Sequence, residues 1–148
     1  MSAGDSYYQL KQYDKAILSF GEAVRLDPKY DYALNMLGTS HYILKQYPAA
    51  LSVYEQVVKL KPDNALYLMN LGDTYFALGR KADALAVHKK LATLDKVKAD
   101  ALLSRINAPL VDPLAIATAD AAIKKGTELF KAKEYAKAMV EFQKAVAA

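Results

Sequence analysis

The chain has 148 residues, about one domain's worth and long enough to bury a core. It is 53% hydrophobic and 24% charged, with only 6 glycines and 5 prolines, a balance that favours a soluble helical protein. It has no cysteine, which excludes a disulfide framework, a thiolate metal site and a cysteine nucleophile. The net charge of +4 arises from 20 basic and 16 acidic residues interleaved along the chain, the pattern of a solvated surface and not of a nucleic-acid footprint. No apolar run reaches the roughly 18 residues that span a bilayer. The opening MSAGDSYYQL lacks the basic and then apolar order of a secretory leader. A cytoplasmic location is therefore the expectation, with a periplasmic protein whose signal has been removed as the alternative.

One phrase recurs down the chain. YYQLKQYDKAILSF (7–20) returns as HYILKQYPAALSVY (41–54), as YFALGRKADALAVH (75–88) and as LFKAKEYAKAMVEF (129–142). Gly4, Gly38 and Gly72 lie 34 residues apart, as do Leu10, Leu44 and Leu78, and Ala16, Ala50 and Ala84. Gly126, Leu129, Ala138 and Phe142 return after a further 54. Within each unit the apolar spacing of three and four predicts two helices. Asp31 to Gln46 carries Leu34, Leu37, Gly38, His41 and Leu44 on one face, and after a polar turn Tyr47 to Leu60 carries Ala50, Leu51, Tyr54, Val57 and Val58. Asp27-Pro28 and Lys61-Pro62 stop the second helices, because a residue before proline is pushed away from the α region. Gly38 and Ala50 are expected to admit the opposing backbone at a close crossing.

On these residues the chain resembles the tetratricopeptide repeat (TPR) family, whose unit is a 34-residue helix–turn–helix. The family's small eighth residue corresponds to Gly4, Gly38, Gly72 and Gly126, its alanine at twenty to Ala16, Ala50, Ala84 and Ala138, and its proline at thirty-two to Pro28 and Pro62. Its aromatic at twenty-four falls on Phe20, Tyr54 and Phe142, with His88 a departure. The 34-residue step contradicts the pentatricopeptide, RNA-reading relative, which steps by 35. The fold implied is an all-α, right-handed α-solenoid of antiparallel helix pairs, three consecutive repeats plus a fourth after a 20-residue insertion. The expected units are 1–30, 31–64 and 65–97, then a short extra helix to 106, a linker at 107–112 and a fourth unit over 113–148.

The third unit lacks its closing proline, having Lys96 there, and Arg105 and Ile106 stand where leucine and glycine belong. Asp112-Pro113 reads as a helix start, from which one helix should reach Lys131 and another run from Tyr135 to Ala147. Both ends read as cut, with no polar closing helix after Ala148 to cover Leu129, Val140 and Phe142.

Catalytic readings find no footing. His41 and His88 sit at interior repeat positions, and Glu134 and Glu141 read as solvated helix-surface acids. There is no zinc-protease helix motif, nucleophile elbow or phosphate-cradling loop. No enzyme activity, metal or cofactor is expected. In such an array the first helices line the concave surface. The candidate peptide-binding residues there are Asp5, Tyr8 and Gln9, then Tyr32, Asn35, Thr39 and Tyr42, then Leu66, Met69, Asn70, Asp73 and Phe76. Tyr8, Tyr42 and Phe76 form an aromatic ladder, since rings bury much area at little entropic cost. Inter-repeat packing is the competing role for the same rings. The clamp that chaperone-binding TPR proteins use for acidic tails falls here on Met1, Asp5, Met36, Leu66 and Asn70, or one unit on, on Asn35, Thr39, Asn70, Asp120 and Lys124. Neither set carries the required cations, and Asp5 and Asp73 would repel a carboxylate. The favoured function is binding of a peptide or helical segment of another protein. The alternatives are a scaffold that self-assembles through its uncapped C-terminal repeat, and a secretion-type chaperone for a hydrophobic client. Nucleic acid is not an expected partner.

Overall fold

Helix follows helix along the whole computed structural model, which describes residues 2–108, 113–131 and 134–147. Contacts divide the chain into two units, Met1–Ala108 and Pro109–Ala148. The first holds α1 (Ala3–Gln9), α2 (Tyr13–Leu26), α3 (Asp31–Ile43), α4 (Tyr47–Leu60), α5 (Ala65–Ala77), α6 (Lys81–Leu94) and α7 (Lys96–Asn107). The second holds α8 (Pro113–Lys131) and α9 (Tyr135–Ala147). The expected helix cap at Asp112, most of the expected linker and the clamp position at Met1 lie outside the described residues, as does the side chain of Asp120.

Each tight turn has the same construction. Lys11, Lys45 and Gly79, 34 residues apart, all take positive φ (58°, 59° and 73°). Their N–H groups donate to the carbonyls of Tyr8, Tyr42 and Phe76, and the next N–H groups, of Gln12, Gln46 and Arg80, donate to Tyr7, His41 and Tyr75, all at 2.9 Å. This is the left-handed Schellman closure of a helix end. Glu134 N–H donates to the Leu129 carbonyl at 2.9 Å in the same way. The second helices of the first two pairs end in extended Asp27 and in Lys61, just before their prolines. Without that proline the third pair uses Asp95, which ends α6 and also caps α7 by accepting from Lys98 N–H at 3.0 Å.

Three buried clusters hold the first unit together, each joining one helix pair to the next first helix. Ala16 and Phe20 pack with Ala33 and Leu37. Leu34, Ala50, Tyr54 and Val57 pack with Tyr67 and Leu71. Leu68, Ala84 and Leu91 pack with Ala99, Leu102 and Ile106 of α7. A single pair cannot cover its own apolar face, and stacking supplies the missing side.

The glycines serve a different contact from the one the sequence suggests. A Cβ on Gly4 would stand 2.7 Å from the Phe20 ring, one on Gly38 2.8 Å from Tyr54, and one on Gly126 2.6 Å from Phe142. The space is filled by the aromatic sixteen residues on, not by opposing backbone. At Gly72 the corresponding residue is His88, and the nearest atoms there belong to Leu102. Helix α7 thus supplies from outside the pair what the missing ring would supply from within.

In the second unit, α8 and α9 pack on each other around Gly126 and Ala138. Glu141, expected on the solvated surface, is only 9% exposed. It accepts from Lys144 at 3.0 Å and pairs with Lys125 at 3.1 Å, and these two lysines hold its carboxyl below the usual range. Two cations offset the desolvation that burial imposes. Met139, Val140 and Val146 of α9 are exposed.

Candidate functional site

The first helices α1, α3 and α5 carry all twelve candidate residues, and the structure sorts them into two groups. At the α1–α3 end an open cleft of about 350 Å³ is lined by Asp5, Tyr8, Gln9, Tyr32 and Met36. Four of these belong to the candidate set. The Tyr32 hydroxyl donates to Asp5 Oδ1 at 2.6 Å, and Ser2 donates to Oδ2 from its N–H at 2.8 Å and its hydroxyl at 2.9 Å. These bonds, Tyr32's first, hold the Asp5 carboxyl below its ordinary value, while the same bond pushes Tyr32 up to about 12. Tyr32 is 43% exposed. The ring of Tyr8 meets that of Tyr13 edge-on at 5.4 Å, so it both walls the cleft and ties α1 to α2. The ring of Tyr42 meets that of Tyr47 edge-on at 5.3 Å and ties α3 to α4.

Further along, the polar side chains make their bonds within the protein. Asn35, expected as an exposed groove residue, is 9% exposed and accepts from Asn70 Nδ2 at 2.9 Å. Its helix position lies in the seam between α3 and α5, where an amide pair satisfies both helices. Thr39 donates to the Asn35 carbonyl at 2.8 Å and is hydrogen-bonded to the Tyr54 hydroxyl at 2.9 Å. Asp73 Oδ2 is ion-paired with Arg105 of α7, while its buried Oδ1 has no hydrogen-bond partner among the described residues. Burial pushes the Asp73 carboxyl up, opposed by the Arg105 guanidinium. The expectation that Asp73 stands as a bare negative charge is therefore corrected. Met69 and Phe76 are half-buried against the α5–α6–α7 cluster, so the third rung of the aromatic ladder is partly taken up by α7. Leu66 is exposed at the start of α5.

Met36 and Arg105 were not among the candidate residues. Met36 follows Asn35 on α3, one step off the positions chosen, and Arg105 marks the place where the repeat pattern fails. Both histidines are half-buried; His41 Nδ1 is 2.6 Å from Gln46 Oε1, across its own helix turn. Among the described residues no group of three histidine or carboxylate side chains is placed to hold a metal ion, and no helix is long and apolar enough to cross a membrane.

A family profile described as TPR repeat matches residues 4–43 and 38–79, and one described as tetratricopeptide repeat matches residues 65–94. The chain belongs to the tetratricopeptide repeat family. A search of curated proteins gives no significant match. Among solved structures the TPR chain is similar to the first TPR of Spaghetti (RPAP3) bound to an HSP90 peptide, with 22% identity, a TM-score of 0.67 and coverage of 74% of this chain and 88% of that one. It is similar to the TPR2B domain of yeast Sti1 in complex with pHsp70, with 15% identity, a TM-score of 0.66 and coverage of 70% and 89%. It is also similar to MamA, with 18% identity, a TM-score of 0.64 and coverage of 99% and 94%. At these identities the likeness is one of fold.

Proposed function

We propose that this TPR chain is a non-enzymatic protein-interaction module that binds an extended or helical segment of another protein on the surface of α1, α3 and α5. The observation that carries the reading is the α1–α3 cleft, where tyrosine rings, a carboxylate and an amide from the first helices of two successive pairs line one open space. Rings of this kind give contact area at low entropic cost, and flanking polar groups orient a ligand backbone. The fold relatives support it, since one is named as bound to the HSP90 peptide SRMEEVD and another as a complex with pHsp70. The test is affinity capture from lysate with wild type beside a Tyr8→Ala, Gln9→Ala, Tyr32→Ala variant whose fold is checked by circular dichroism. A partner retained by wild type and lost by the variant supports the reading. Identical retention by both overturns it.

Self-association is a second reading, favoured by the apolar face of α9, where Met139, Phe142 and Val146 line a shallow pocket of about 330 Å³. Val146 is 90% exposed. Sedimentation of wild type beside Met139→Lys, Val146→Lys decides it, since a monomer at every concentration tested excludes this reading.

A further inference from the structure

The two acids among the candidate residues, Asp5 and Asp73, differ in how their charge is met. Asp73 is ion-paired with Arg105, whereas among the described residues no lysine or arginine is paired with Asp5. Each carboxylate oxygen accepts about two hydrogen bonds. Ser2 occupies both sites of Oδ2, and Tyr32 occupies one of Oδ1. Among the described residues nothing else donates to Oδ1, which leaves one acceptor site on a residue that lines the cleft. Around it stand two tyrosine rings, whose faces attract cations, and Met36, an apolar surface for a hydrocarbon stem.

We infer that the α1–α3 cleft receives a lysine or arginine side chain of the partner segment, its stem along Met36 and the tyrosines and its cation on Asp5. This rests on the reading of the cleft as the partner-binding surface. The hydrogen bonds from Tyr32 and Ser2 support it further, because they keep the Asp5 carboxyl ionised into acid conditions. An acidic segment such as the SRMEEVD peptide named for RPAP3 would instead bring like charge to this end.

The test is selection of a phage-displayed random peptide library on the full chain, then titration of synthetic copies of the enriched peptides. Selected peptides share a lysine or arginine, and replacing it with norleucine or citrulline weakens binding to wild type by about fivefold. On Asp5→Asn the same replacement changes little, and added sodium chloride erodes the wild-type preference. Asp5 also belongs to the cap of α1, so Ser2→Ala serves as the control that loosens the cap and keeps the carboxylate. Ser2→Ala keeps the preference for the basic peptide; if it loses as much as Asp5→Asn does, the effect is fraying of α1 and the inference fails. Peptides that need the cleft residues but show no basic preference overturn the inference and leave the binding surface standing. Peptides that bind the Tyr8→Ala, Gln9→Ala, Tyr32→Ala variant as well as wild type overturn both.

Discussion

Truncating Leu102 to alanine removes the plug that α7 places above Gly72. The side chain is fully buried, in one cluster with Leu68 and Ala99 and against Gly72. Three carbons leave, which at about 0.8 kcal/mol per methylene gives about 2.4 kcal/mol of transfer free energy. The flanking helices cannot close fully on the gap, so the residual cavity raises the cost to about 3–4 kcal/mol. With a urea slope of about 2 kcal/mol/M, the unfolding midpoint followed by far-ultraviolet circular dichroism falls by about 1.5–2 M. The same logic dictates a rescue. His88 stands where Tyr54 stands in the preceding pair, so His88→Phe should aim a ring at Gly72. Alone, with Leu102 present, that ring overpacks and costs about 1–3 kcal/mol. Combined with Leu102→Ala it refills the gap, and the double variant should be at least about 1 kcal/mol more stable than the two single effects added. Strict additivity, or a cost below about 1 kcal/mol for Leu102→Ala alone, refutes the assignment of α7 as a substitute for the missing ring.

Other expectations follow from single contacts. Gly38→Ala, whose new carbon meets the Tyr54 ring, should destabilise by about 1–3 kcal/mol, whereas Gly21→Ala, with open space around it on α2, should stabilise by up to about 1 kcal/mol; chemical denaturation that ranks the two equally removes the packing account. Arg105→Met leaves the half-buried Asp73 carboxylate unmatched and should cost about 1–2 kcal/mol near neutral pH, a figure reduced because Arg105 is half exposed. That loss shrinks under acid conditions as Asp73, already pushed up by burial, takes its proton, and an equal loss at both pH values counts against it. Tyr32 and Tyr75 are pushed up to about 12, Tyr32 chiefly by its bond to Asp5 and Tyr75 chiefly by burial. Their unfolded value is about 10. The folded chain therefore keeps these protons longer, and their contribution is full below about pH 10 and lost as pH rises through about 12. Thermal midpoints measured across that window should fall, and fall less steeply in a Tyr32→Phe, Tyr75→Phe variant.

Much of the architecture was legible because a repeat writes its local rules several times over. The helix pair over 31–60, the stops at Pro28 and Pro62 and the helix ends near Lys131 and Ala147 all follow from the spacing of apolar residues and from proline. The turn residues were legible only in part. Lys11 and Lys45 adopt the left-handed conformation that Gly79 adopts, and nothing in a lysine announces it. Of the candidate surface, Asp5, Tyr8, Gln9 and Tyr32 lie around one cleft at the α1–α3 end.

What the sequence determined by itself is everything that depends on neighbours within one unit, because a 34-residue period repeats those neighbours in register. What the tertiary structure alone decided are the contacts made where the period fails or where two units meet. Leu102 over Gly72, Arg105 against Asp73 and the Asn35–Asn70 amide pair join residues about one unit apart. Each depends on how closely one first helix docks on the next, and no pattern within a unit encodes that approach. The aperiodic end of the first unit, where Arg105 and Ile106 break the repeat, is the part that α7 turns into a cover on the α5–α6 core and a counter-charge for the half-buried Asp73.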